Sequence, residues 1–226
     1  MNTKGTDIEG ISHSFIPFNN SRKIETLYID LTKSEEELFS NLHRSNRKQI
    51  NQSESLNFNI EVIKNPTISD VHEFRDFYNN FAKTVNTYRC GNFHVHTMNL
   101  LIKQNALIIT RIVSDRNDVL CYRVYLTDGE TALSLYSASH FRLKESKEEK
   151  RLLSKASRYL LWKNILFFKE NNHQTYDMGG LTDNENIRKF KMEFGGEITD
   201  VYSGYEANSK VGKFVLWLRS KKMKKG

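Results

Sequence analysis

The sequence predicts an α/β domain built on a sheet of mixed direction, and three observations carry that prediction. Strand-like and helical runs alternate along most of the chain. Three consecutive strand-like runs, ALIITRIV, VLCYRVYLT and ETALSLYSA, sit in the middle with only short turns at 115–118 and 128–129, which makes an antiparallel meander. A long helical period then separates that meander from a short strand expected to be buried, TYDM.

Taken in order, residues 1–23 read as a loosely ordered lead, and KIETLYIDL alternates as a first strand over 23–31. Ser34 followed by Glu37 is a capping box, because the serine hydroxyl and the glutamate carboxylate each satisfy a free amide at a helix start; it opens a helix running to about residue 55. FNIEVIK is a second strand, and helices follow over 69–83 and 94–104. After the meander, a helix over 146–171 carries an apolar stripe through Leu152, Leu153, Ala156, Leu160 and Phe167. TYDM ends in a turn at Gly179 and Gly180. The next helix is capped by Asp183 or Asn184, buries Ile187, Phe190 and Phe194, and stops at Gly195 and Gly196. ITDVYSGYEA returns as a strand. Two prolines and no low-complexity stretch favour one continuous domain over 24–218, with a basic tail over 219–226.

Composition narrows the partners. Thirty-four basic against 27 acidic residues give +7, which favours a polyanion such as a nucleic acid, a phosphorylated cofactor or an anionic headgroup. The excess is local: Arg219, Lys221, Lys222, Lys224 and Lys225 stand without an acid, and removing these five leaves 29 against 27. That tail reads first as a solubilising terminus and second as an arm for RNA or a membrane surface. No apolar run reaches the ~18 residues of a membrane span, and no signal core follows the N-terminus, so the expected location is cytoplasmic. Cys90 and Cys121 read as reduced structural thiols.

The order of meander, long helix, short strand and glycine-terminated helix is similar to that of the GNAT acyltransferase fold. The corresponding GNAT motif has an asparagine, an apolar residue, an aliphatic or phenylalanine, a tyrosine and a later glycine. Here these positions are Asn184, Ile187, Phe190, Lys191 and Gly195, with lysine in place of tyrosine. That change, together with YDMGG, FKMEFGG and the helix LHRSNRKQINQSE, resembles the FemABX-type branch and the related BioF2-like acetyltransferase domains over residues 24–215. FemABX proteins proper contain two GNAT-like domains, and this sequence has room for one.

The resemblance implies an N-acyltransferase that moves an acyl or aminoacyl group from aminoacyl-tRNA or acyl-CoA to a primary amine of an amino sugar, an amino acid or a cell-envelope precursor. No permanently bound cofactor is implied. It also implies two parallel strands, 133–139 and 175–178, that splay apart and expose backbone amides to the acyl carbonyl, with Ser137 and Ser139 at the mouth. Lys191 would neutralise the charged end of the donor, beside Phe190 and Asn184. Asp177 either orients and deprotonates the attacking amine or holds the glycine turn. Where coenzyme A users carry a glycine-rich loop, this chain has HFRLKESKEEK, so Arg142 and Lys144 would supply charge by side chain. Arg44, Arg47 and Lys48 have helical spacing suited to a phosphate chain.

Two other chemistries are disfavoured. His94 and His96, two apart on a helix, point in different directions and have no accompanying ligand cluster, so no metal is expected. Ser139, His140 and Asp177 suggest a triad, but the G-x-S-x-G elbow of hydrolases is missing. A catalytically silent module binding RNA or a phosphorylated carrier is the alternative from a different class.

Overall fold

The computed structural model describes residues 6–85 and 87–223. One eight-stranded sheet forms the centre, built from β1 (Ile8–Ser14), β2 (Arg22–Asp30), β3 (Asn59–Ile63), β4 (Leu107–Val113), β5 (Val119–Thr127), β6 (Thr131–Ser139), β7 (Thr175–Gly180) and β8 (Glu197–Ala207). The spatial order is β1-β8-β2-β7-β6-β5-β4-β3, and every adjacent pair is antiparallel except β6 and β7. The expected mixed sheet and central meander are therefore present.

Helices cover the two faces unequally. Against one face pack α1 (Glu35–Asn41), α2 (Arg44–Glu54), α5 (Lys147–Glu170) and α6 (Glu185–Met192). Their Leu38, Ile50, Ala156, Leu160 and Phe168, with Leu42 from the link between α1 and α2, meet Leu27, Ile29, Tyr125, Tyr176 and Met178 of the sheet. Against the other face, α3 (Ile68–Val85) and α4 (Asn92–Lys103) bury Val71, Phe74 and Met98 over β4, β5 and β6. Helix α7 (Lys210–Met223) lies by β8. On this second face the segment after β1 reaches over β2, where the Phe15 ring lies 5.6 Å from that of Tyr28.

Several local expectations need correction. Residues 8–14 are not part of a loose lead: they form β1, hydrogen-bonded along β8. The helix opened by the Ser34 capping box ends at Asn41, because Leu42 and His43 are both extended and His43 starts a second helix by accepting from the Ser45 amide. Residues 219–223 belong to α7 and are not an unstructured tail, while 224–226 lie outside the described residues. In α5 the buried stripe runs through Leu153, Ala156, Leu160 and Phe168, with Leu152 exposed. Ile187 is exposed too, so α6 is anchored by Phe194 and, in part, Phe190. Gly179 and Gly180 extend β7 instead of forming a free turn.

Gly195 and Gly196 do stop α6, with φ of 76° and 103°. Gly196 is required twice over, since an added Cβ would sit 2.4 Å from the Tyr28 carbonyl oxygen of β2. Gly196→Ala should therefore lower stability by roughly 2 kcal/mol or more. Urea unfolding would check this; an unchanged midpoint would mean that the α6–β8 junction is free to move.

Candidate active site

The parallel pairing of β6 and β7 is short. It runs through Thr131↔Thr175, Ala132↔Tyr176 and Leu133↔Asp177 and then stops, although β6 continues to Ser139 and β7 to Gly180. The sheet forks at this point. Irregularities on both sides accompany the divergence: the register of β5 with β6 shifts between Val124 and Tyr125, and that of β2 with β7 shifts between Thr26 and Tyr28. Gly179 has φ of 74°, and a Cβ there would lie 2.8 Å from the Ser134 carbonyl oxygen, so only glycine lets the two backbones approach at the base of the fork.

Alternation along β7 decides which side chains reach which face. Tyr176 and Met178 enter the core beneath α5, so Asp177 between them points to the opposite face, opposite Tyr28 of β2. Its carboxylate is fully buried and densely hydrogen-bonded. Oδ1 accepts from the Gly179 amide at 2.8 Å and from the Thr26 hydroxyl, and Oδ2 accepts from His13 Nδ1 at 2.5 Å. The Tyr28 phenol next to it is held well above its ordinary pKa by burial and by the Asp177 charge.

Lys191 approaches the fork from α6. Its ammonium donates to the Gly179 and Gly180 carbonyls at 2.9 and 2.8 Å, so the side chain folds back onto β7. Burial lowers its pKa to about 8; the Asp177 charge opposes that shift and Arg123 adds to it. Arg123 on β5 is itself buried, at 4% exposure, and none of the ion pairs among the described residues includes it. It shares the α5 face with Cys121 and Tyr125 and stands opposite Ser137 in register. Lys191 is held in place by a clamp at the end of α6: the Glu193 carbonyl accepts from the His43 amide and from Asn46 Nδ2, while Arg158 binds Asn46 Oδ1 at 2.8 Å and lies over the Phe190 ring.

The structure thus brings Lys191, Asp177 and Gly179 together at the base of the fork, with Ser137 and Ser139 on the part of β6 beyond its pairing with β7. It adds His13, Thr26, Tyr28 and Arg123. Other expected residues have different employment. Asn184 caps α6 by accepting from the Asn186 and Ile187 amides, and Phe190 packs on Phe194. Arg142 is exposed in a 3-10 turn over His140–Leu143, and Lys144 pairs with Glu149 at 2.9 Å. The three-cation face of α2 reduces to Arg44 and Lys48, because Arg47 donates to the Ser40 and Leu42 carbonyls and closes the end of α1. His140 stacks on Phe77 and contacts its carbonyl, so no triad with Asp177 forms. No metal-holding cluster occurs among the described residues, and no helix among them is long and apolar enough to cross a membrane.

Comparison with known structures supports the architecture. FemX superposes with a TM-score of 0.65 at 11% identity over 89% of this chain and 67% of that chain. The C-terminal domain of a putative lysylphosphatidylglycerol synthetase from Agrobacterium fabrum gives 0.56 at 11% identity over 87% of this chain and 65% of that one. L-PGS from Bacillus licheniformis gives 0.50 at 15% identity, over 88% and 66%. This chain therefore spans about two thirds of each. No family model matches, and no curated protein matches in sequence. The fold is the GNAT-like, FemABX-type α/β fold.

Two predictions follow from the geometry. The folded-state pKa of Lys191, about 8, lies below the ordinary 10.5, so the native state binds fewer protons between those values and gains stability as pH rises through that window. Replacement by methionine removes the titration. Unfolding free energies at pH 7 and pH 10 should accordingly move in favour of the wild type, relative to Lys191→Met, at the higher pH; a constant difference would mean that the ammonium is as well solvated as a surface lysine. Arg47→Gln should cost about 1–2 kcal/mol, since it leaves two carbonyls of α1 without their partner, whereas Lys48→Gln on the exposed face should change the melting temperature little.

Proposed function

We propose that this protein transfers an acyl or aminoacyl group from an activated donor to a primary amine. The observation that carries the reading is the fork between β6 and β7 with the Lys191 ammonium at its base. Beyond Leu133 the β7-facing edge of β6 has lost its strand partner, which leaves backbone amides to donate to an acyl carbonyl; fixed amides of that kind stabilise the oxyanion that forms when an amine attacks. Lys191 and Arg123 make the α5 side of the fork cationic, suited to the anionic end of a donor.

The favoured donor is an aminoacyl ester of tRNA. Residues 140–146, which follow β6, contain no glycine, and the lysine among them is paired with Glu149, so a diphosphate would not find the close backbone cradle that coenzyme A requires. The acceptor is a primary amine of an amino sugar, an amino acid or an envelope precursor.

Incubation with mixed charged tRNA, and separately with acetyl-CoA, each with an amine library, would test the reading by following deacylated tRNA and free thiol. Amine-dependent loss of the tRNA ester is expected; no turnover of either donor would make the fold a silent binding module. Lys191→Met should lower turnover about 10²-fold, the size expected for removing one preorganised electrostatic donor, and Lys191→Arg should restore part of it. Full turnover in Lys191→Met would remove the lysine from the mechanism.

A further inference from the structure

An amine at neutral pH is protonated and must lose a proton before it can attack, so the face of the fork opposite the donor needs a base. We propose that His13 is that base, its imidazole Nε2 taking the proton from the acceptor ammonium while Asp177 holds the ring from behind. The inference rests on the transfer reaction proposed above and assigns the acceptor side of its site.

Four observations support the assignment. His13 Nδ1 donates to a carboxylate, which leaves the Nε2 lone pair of the neutral ring as the acceptor. Nε2 makes no hydrogen bond among the described residues and is absent from the buried, unpartnered atoms, so it stays open to solvent on a side chain 13% exposed. Its carboxylate partner is at the last paired position before the strands diverge, which puts the imidazole next to the reacting centre. The backbone of His13 is also unusual: φ is 55°, at a shift in the β1–β8 register between Ile11 and Ser14, and its amide is tied to Ser203 Oγ at 2.9 Å. A non-glycine residue in that region is held there by its surroundings, and here the constraint aims the ring at Asp177. The ring meets Asp177 from β7, and the titratable groups that share that carboxylate with it are Tyr28 from β2 and Lys191 from α6; β8 contributes the uncharged Ser203 to the His13 amide.

The step balances without a further reactant. The ammonium gives one proton to Nε2, and the amine nitrogen bonds to the acyl carbon. When the tetrahedral intermediate collapses, the bond to the donor oxygen or sulfur breaks, and that leaving atom takes the second nitrogen proton. His13 then releases its proton to solvent. Asp177 touches neither substrate and is a positioning residue.

His13→Asn is the informative variant, because asparagine tolerates the left-handed backbone and its amide can still donate to Asp177, yet it offers no Nε2. With an ordinary primary amine at neutral pH, kcat/KM should fall about 10²-fold or more, as for loss of a general base. The acid limb of the pH profile should move toward the pKa of the amine itself. With hydroxylamine, already largely neutral at that pH, the loss should shrink markedly, which a merely structural defect would not produce. Equal losses for both amines, or wild-type kcat/KM in a folded His13→Asn protein, would overturn the assignment while leaving the transfer reaction intact. Absence of donor turnover in the wild type would overturn the reading on which it rests.

Discussion

The buried carboxylate of Asp177 is the constraint on which the rest of the site depends. A carboxylate with no solvent exposure costs several kcal/mol unless its oxygens are satisfied. Three elements satisfy them here: Thr26 from β2, His13 from β1, and the Gly179 amide just beyond Asp177 itself. The same residue ends the parallel pairing of β6 and β7. Stabilising the charge and parting the strands are thus one structural event, and the N-terminal strand is recruited to the sheet edge where it can reach the fork.

A division of labour across the sheet results. On the α5 side lie Arg123 and the helix that delivers Lys191, cations suited to a donor's negative end. On the other side lie Asp177, His13 and Tyr28, acidic and basic groups suited to an amine. The sheet itself keeps these two sets apart, and among the described residues neither Lys191 nor Arg123 forms a direct ion pair with Asp177; in the proposed reaction a donor carbonyl in the fork would meet both sets. The clamp of Asn46, Arg158 and the Glu193 carbonyl fixes α6 and hence the approach of Lys191.

Much of the frame was legible because its signals are local. The Ser34 and Glu37 capping box, the meander with its short turns, and the α6 stop at Gly195 and Gly196 each depend on a few neighbouring residues, and each is found. Lys191 and Asp177 were readable from the motif around them. His13 was not, because its partner lies 164 residues away and the strand that carries it reads as a loose lead until β8 is there to pair with it. Arg123 left a usable signal: in the strand VLCYRVYLT it shares a face with Cys121 and Tyr125, where a charge stands among core residues. The break between α1 and α2 has neither glycine nor proline to announce it; the cap is made by the Arg47 side chain, five residues past Leu42.

The central claim is that the fork is where the acyl group sits. The most direct measurement is a crystal structure with a stable amide analogue of a 3′-aminoacyl-adenosine 5′-phosphate. The account predicts the acyl carbonyl on the unpaired, β7-facing edge of β6 beyond Ser134, with the ribose and phosphate end toward Lys191 and the amine side facing His13. Density for the analogue at any other place, in a protein that turns over the corresponding ester, would contradict it.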